Sequence, residues 1–327
     1  MDCRGFGLVR NLDRPGIVSL IVTYRLRPAV LSVGASAGLI AITLGAPACV
    51  VSVDHDGQIE RVEKRFTVEK TAELRLTTFD GAIEVRSWDR PEVLVQIDKR
   101  GPDKESLGTI DILSDQKGDV IQIEARHTAT RTHFVGLGFF VSASAKIVAS
   151  VPRNTNLVIR TEDGAVVLER VTGRADIHTK DGSIHVAETS GELLVETGDA
   201  SVQLEDVSGR IEARTGDGSI RLSGMPTSLR ARSGDGSISL RIRNGATMTE
   251  DWMVATGDGS ISVELPDGFT AQIEADPGSD GRVRNDLKLA NIVGGTRDNR
   301  TFTGALGQGG HKLSIRTGDG TIRLTNY

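Results

Sequence analysis

A period of eighteen residues constrains this chain more than any other feature. The segments TEDGAVVLERVTGRADIH, TKDGSIHVAETSGELLVE, TGDASVQLEDVSGRIEAR, TGDGSIRLSGMPTSLRAR and SGDGSISL follow one another up to Leu240, and their turn aspartates Asp163, Asp181, Asp199, Asp217 and Asp235 lie eighteen residues apart. Each unit halves again into nine. Val166, Ala175, Ile184, Leu193, Val202, Ile211, Ile220, Leu229 and Ile238 form one apolar column, and Leu168, Ile177, Val186, Val195, Leu204, Ala213, Leu222, Ala231 and Leu240 form a second, two residues on. Two apolar positions separated by one variable residue give the alternation of a short strand. Asp-Gly at one end of the unit, and Thr172-Gly173, Ser190-Gly191, Ser208-Gly209 and Asn244-Gly245 at the other, are turn formers.

One coil is therefore expected to contain two short strands and two turns. Neither strand can bury its apolar face alone, but coils stacked at a strand spacing of about 4.8 Å bury a continuous core. The pattern predicts an all-β chain built as a parallel β-solenoid of the β-helix or β-roll kind, right-handed because parallel crossovers nearly always are. A hairpin meander is the alternative, since Asp-Gly also favours tight hairpins, but a meander does not need an identical nine-residue step. The 38 Gly and 4% aromatic residues fit a turn-rich β protein and not a helical one.

The regular units occupy residues 156–327, interrupted by an irregular excursion from Asp276 to His311. Residues 65–155 carry strand candidates at irregular spacing and read as a β region capping the solenoid, because terminal repeats must close an open end. Within them FVGLGFFV, Phe134 to Val141, reads as a buried crossing, with a partner-contacting loop as the alternative. Beyond Leu240 an insertion around Asn244 to Trp252 lengthens one coil. The excursion from Asp276 to His311 reads as a partly ordered surface loop, with a one-sided binding loop as the alternative.

The first 48 residues read as a leader. Arg4, Arg10, Arg14, Arg25 and Arg27 precede the uncharged run Ala29 to Cys49, and Ala46-Pro47-Ala48 supplies an A-x-A site, the layout of a secretory signal. A transmembrane anchor is the alternative, at a length marginal for spanning. The basic extension is long for a signal, so translation is expected to start near Val22. Cys49 directly follows Ala48, where a bacterial lipoprotein carries its lipidated cysteine, although Ala46 stands where a lipobox usually has leucine. Residues 49–64 read as a tether. The chain's two cysteines, Cys3 and Cys49, leave no disulfide framework for the folded body.

These residues resemble the bacterial β-strand-repeat family of putative adhesins, a domain of unknown function. The likeness rests on FTVEKTAELRLTTFDGAIEVRSWD, on Val93 to Ile97, on VPRN at Val151 to Asn154, and on the repeated T-x-D-G-x-I-x-L units ending in TGDGTIRL. It implies an extracytoplasmic cell-envelope protein with no catalytic motif to carry over.

Candidate chemistry is sparse. Stacking brings the aspartates of successive coils together, and carboxylates about 5 Å apart repel by roughly 1 kcal/mol even in water. Calcium at Asp181, Asp199, Asp217 and Asp235 would relieve this, but the spacing differs from that of calcium β-rolls, and the aspartates are expected instead to close Asx-type turns beside glycines at positive φ. Thr161, Thr179, Thr197, Thr215, Ser233 and Thr256 form an inward column whose hydroxyls can satisfy turn backbone groups. His178 and His185 fall on different strands with no further ligand beside them. No G-x-S-x-G, H-E-x-x-H or Walker-type loop occurs, and a pair of carboxylates for a polysaccharide-active β-helix is not singled out. The reading is a non-catalytic protein without cofactor.

Charge is the remaining signal. The net charge of −5 suggests no nucleic-acid partner. Locally, Glu162 to Asp206 holds 11 acidic and 3 basic residues, whereas Val207 to Gly245 holds 3 acidic and 7 basic. Alternation puts Arg214, Arg230 and Arg232 on one face near Glu212, and Arg221 and Arg241 on the other. The arginine face is the candidate ligand-facing site, for envelope polysaccharide, lipid head groups or an envelope protein. The rival is a solvated face with cross-strand pairs such as Glu212 with Arg230. An envelope-stress sensor or scaffold with a protein partner is the alternative function.

Overall fold

The computed structural model describes Leu8–Arg10, Val18–Leu20 and residues 58–128, 143–294 and 301–327. The chain divides into two units, Met1–Gly57 and Gln58–Tyr327. In the first, Leu8–Arg10 pairs antiparallel with Val18–Leu20. Apart from those two strands, residues 1–57, Cys49 and the proposed tether among them, and the FVGLGFFV segment lie outside the described residues. Among the described residues, no helix is long and apolar enough to cross a membrane.

Among its described residues, the second unit is all-β apart from one five-residue helix, Lys104–Gly108, capped by the Asp103 carboxylate at the Ser106 amide. Its centre follows the eighteen-residue period directly. Thr155–Thr161, Thr172–Thr179 and Ser190–Thr197 pair in parallel, with Leu157 beside Ala175 and Ala175 beside Leu193, and the ladder continues with Leu193 beside Ile211 and Ile211 beside Leu229. A second parallel ladder runs through Val166–Glu169, Ile184–Ala187 and the first halves of Val202–Thr215 and Ile220–Arg232 to Ile238–Ile242. Parallel neighbours replace the hairpins that a meander would show. Every residue of the two apolar columns is buried, at most 4% exposed. Those side chains belong to one hydrophobic core, and each large apolar side chain removed from water adds roughly 1.5–3 kcal/mol.

Three sequence expectations need correction. First, the pairing is not parallel throughout. Glu92–Gly101 runs antiparallel to both Gln58–Thr67 and Ser144–Pro152, Ile110–Lys117 is antiparallel to Val120–His127, and Phe302–Leu306 is antiparallel to both Ala271–Asp276 and Leu289–Gly294. Second, the excursion from Asp276 to His311 carries the strands Arg282–Asn285, Leu289–Gly294 and Phe302–Leu306. Third, the eighteen-residue units do not always have two separate strands, since Val202–Thr215 and Ile220–Arg232 each run on without a break.

Spatial order departs from chain order at both ends. Ala72–Thr78 lies between Val120–His127 and Thr155–Thr161, and Ile83–Trp88 lies between Ser144–Pro152 and Val166–Glu169. At the other end, Lys312–Arg316 enters between Trp252–Ala255 and Ala271–Asp276, while Thr321–Asn326 enters between Ile261–Leu265 and Arg282–Asn285. The last regular unit of the sequence is thus an inner layer.

Turn chemistry also differs from expectation. The buried hydroxyls, not the aspartates, satisfy the turns. Thr215 Oγ1 donates to Ala200 O at 2.8 Å and Gly198 O at 3.1 Å and accepts from the Gly218 amide at 3.2 Å. Ser233 repeats the pattern with Gly218 O at 2.8 Å and the Gly236 amide at 2.9 Å, and Thr317 with Gly259 O at 2.7 Å and the Gly320 amide at 3.2 Å. Asp163, Asp181, Asp199, Asp217 and Asp235 stay exposed. The Asp-Gly glycines are needed for close stacking: a Cβ on Gly218 would lie 1.8 Å from Ala200 O. In the regular units positive φ belongs to the other corner, as at Gly191, φ 121°, although Gly81 of the earlier Asp80-Gly81 turn has φ 126°.

Candidate functional site

The arginine face is built by three neighbouring strands. Glu212 and Arg214 end Val202–Thr215, Arg230 and Arg232 end Ile220–Arg232, and Met253 lies on Trp252–Ala255. Buried Ala213, Ala231 and Val254 alternate with them, so all five flanking side chains leave the core on one side. Register sets Glu212 opposite Arg230, Arg214 opposite Arg232, and Arg230 opposite Met253. Together the five line a shallow concavity of about 170 Å³.

Its electrostatics are unbalanced. Glu212 pairs with Arg214, two residues along its own strand, and not with Arg230 across the ladder. Arg232 donates through Nη2 to Met253 Sδ at 3.1 Å. Arg230 and Arg232 form no ion pair among the described residues, and Arg214 and Arg232 are direct cross-strand partners, a like-charge placement that costs stability. Three guanidiniums around one carboxylate offer several free N–H groups to an anionic oxygen, in the fork geometry that suits carboxylate or phosphate.

The surroundings are better neutralised. Arg210 bonds Glu250 and, with Ser228, holds that carboxyl below the usual carboxylate range. This pair ties the Asn244 to Trp252 insertion to the ladder. Lys312 first, and then Arg316, likewise lower Glu274. On the other ladder, Arg241 lies 3.5 Å from Glu264 and stacks over Tyr327 at 4.7 Å, while Arg221 stands between Gln203 and Ser239.

Other candidates are not brought together. His178 lies 3.7 Å from Glu196 on the first ladder, and His185 is on the second. Among the described residues, no group of three or more His, Cys, Asp or Glu could hold a metal ion, and this includes Asp181, Asp199, Asp217 and Asp235. Sequence reasoning missed Met253, because the insertion stretches the step from Arg230 to 23 residues. It could have been found by continuing the apolar columns through Trp252 and Val254.

The fold and this site define a class: an all-β repeat protein whose charged side chains stand in columns on the ladder faces. The chain belongs to the Toastrack DUF4097 family, whose model matches residues 71–325. No curated protein matches it in sequence. Solved structures that resemble it include a putative cell adhesion protein from Clostridium sporogenes, 14% identical over 82% of this chain and 100% of that one, TM-score 0.26. A putative adhesin from Bacteroides fragilis is 13% identical over 82% and 97%, TM-score 0.33, and a putative lipid binding protein from Parabacteroides distasonis is 11% identical over 81% and 96%, TM-score 0.36. These likenesses are too loose to carry an inference about ligand or activity.

Proposed function

We propose that the chain is an exported, non-catalytic cell-envelope protein, a parallel β-solenoid with atypical strands at both ends, and that it binds an anionic envelope polymer along its arginine face. The observation that carries the reading is the in-register placement of Arg214, Arg230 and Arg232 around a single carboxylate, Glu212, on a flat ladder. Each contact with such a polymer is weak, but a repeating ligand laid across neighbouring strands engages several at once, and linked contacts multiply. Cys49 is the proposed lipid anchor that would hold the protein at the membrane, with residues 1–48 removed on export.

The test is co-sedimentation of the purified protein with separated envelope fractions: peptidoglycan, anionic lipid vesicles and surface polysaccharide. Saturable, salt-sensitive binding to a polymer, lost when Arg214, Arg230 and Arg232 are all changed to Glu, is the expected result. Binding unchanged by that charge reversal, or no binding to any fraction, overturns the proposal.

A further inference from the structure

A second concavity lies at the end of the ladders remote from the repeats' arginines in sequence, and its chemistry differs. It is a wide, open concavity of about 420 Å³ bounded by the turn after Ile83–Trp88, the turn after Ser144–Pro152 and the loop before Ala72–Thr78. Trp88 forms one wall, with Lys70, Asp89, Arg90, Arg153 and Asn154 around it.

The chain has two tryptophans, and they are treated differently. Trp252 is buried at 1% exposure in the core, its indole N–H bonded to Thr227 O. Trp88 is only half-buried, at the mouth of the cleft. Its indole N–H donates to Glu92 O at 2.8 Å, which fixes the ring, so that the apolar surface Arg90 does not cover is the part offered to a ligand. Arg90 stacks against the ring at 5.0 Å and reaches toward Glu92 at 3.6 Å. The other polar side chains are uncommitted: Lys70, Asp89, Arg153 and Asn154 make no side-chain hydrogen bond or ion pair among the described residues, and all four are exposed. Elsewhere on this end of the molecule charged neighbours engage one another, as Arg75 does Glu73 and Lys146 does Glu84. A fixed aromatic surface ringed by unengaged donors and acceptors is the composition of a polar small-ligand site, and here cations outnumber the single free carboxylate.

We propose that this cleft is a saccharide subsite for an acidic sugar, a pyranose packing its C–H face on Trp88 while its carboxylate is held by Lys70 and Arg153, with Asn154 and Asp89 serving its hydroxyls. A planar apolar face next to a ring of hydroxyls and one negative charge is what a uronic acid presents. The site is separate in residues from the arginine face and does not depend on it.

The experiment is calorimetric titration of the full chain with glucuronic acid oligomers and, in parallel, with neutral glucose oligomers of the same length. The uronate oligomer should bind saturably and the neutral one about tenfold more weakly or worse, the loss of charge-assisted contacts. Lys70→Glu with Arg153→Glu, both at exposed positions, should abolish uronate binding while leaving the circular dichroism and melting unchanged. Trp88→Leu should weaken it at least tenfold, whereas Glu reversal at Arg214, Arg230 and Arg232 should leave it as it was. Absence of saturable uronate binding, equal affinity for the neutral oligomer, or indifference to the Lys70 and Arg153 changes overturns the proposal. Loss of binding on reversing the Arg214 face alone would move the ligand there and overturn it as well.

Discussion

Thr215→Val replaces a buried hydroxyl by a methyl group of nearly the same shape, and its cost can be worked from three hydrogen bonds. The hydroxyl donates to Ala200 O and Gly198 O and accepts from the buried Gly218 amide. Gly198 O keeps a partner without it, because the Gly216 amide also donates there. Ala200 O and the Gly218 N–H lose theirs. An orphaned buried polar group costs about 1–3 kcal/mol, two are orphaned, and the added methyl returns about 0.8 kcal/mol, so a net loss of about 1–5 kcal/mol is expected. Thr215→Ser should cost about 1 kcal/mol or less, since Ser233 already does the same work one coil later. Thr161→Val is the internal control: that hydroxyl makes one long bond, 3.3 Å to Gly81 O, and should cost about 1 kcal/mol. Stability in a stacked repeat is local, so urea unfolding should be accompanied by amide exchange at Gly218. If Thr215→Val unfolds within 0.5 kcal/mol (about the error expected of such comparisons) of the parent while the Gly218 amide stays protected, the turn is held by something other than its hydroxyl.

Other substitutions probe different forces. Gly218→Ala puts a methyl 1.8 Å from Ala200 O and should destabilise by about 1–3 kcal/mol in thermal unfolding, as overpacking does. Glu188→Gly relieves a non-glycine residue held at φ 52° and should raise the melting temperature, for a gain of up to about 1 kcal/mol; a fall in melting temperature would refute strain at this corner. Burial first, and then Asp163 and Glu162, push the Asp80 carboxyl above its ordinary 3.8. The folded form therefore holds this proton more tightly than the unfolded form, and its ionisation costs stability as pH rises. Asp80→Asn should be more stable than the parent at pH 7, with the difference vanishing in acid below that ordinary value, as read by urea unfolding across pH. Arg210→Ala breaks the pair with Glu250; because both groups are exposed, it should loosen the Asn244 to Trp252 insertion, seen as faster amide exchange, with little change in global unfolding.

What the amino-acid sequence determined by itself was the part governed by local alternation. A side chain two residues on in a strand returns to the same face, so the columns from Val166 to Leu240 specified which residues are buried. The eighteen-residue step specified which of them would be neighbours, including Arg214 beside Arg232. The inward threonines were legible for the same reason. The tertiary structure decided what depends on the third dimension. Whether Asp or Thr closes a turn depends on which group points at the preceding coil, and stacking at strand distance turned Thr inward and left Asp in solvent. The need for glycine at position 218 comes from Ala200 O in the coil below, not from its own φ. The ends were beyond sequence because a strand's neighbours there are chosen by open edges and not by period. Lys312–Arg316 lodges between Trp252–Ala255 and Ala271–Asp276, and Trp88 and Arg153 line one concavity from turns more than sixty residues apart in the chain.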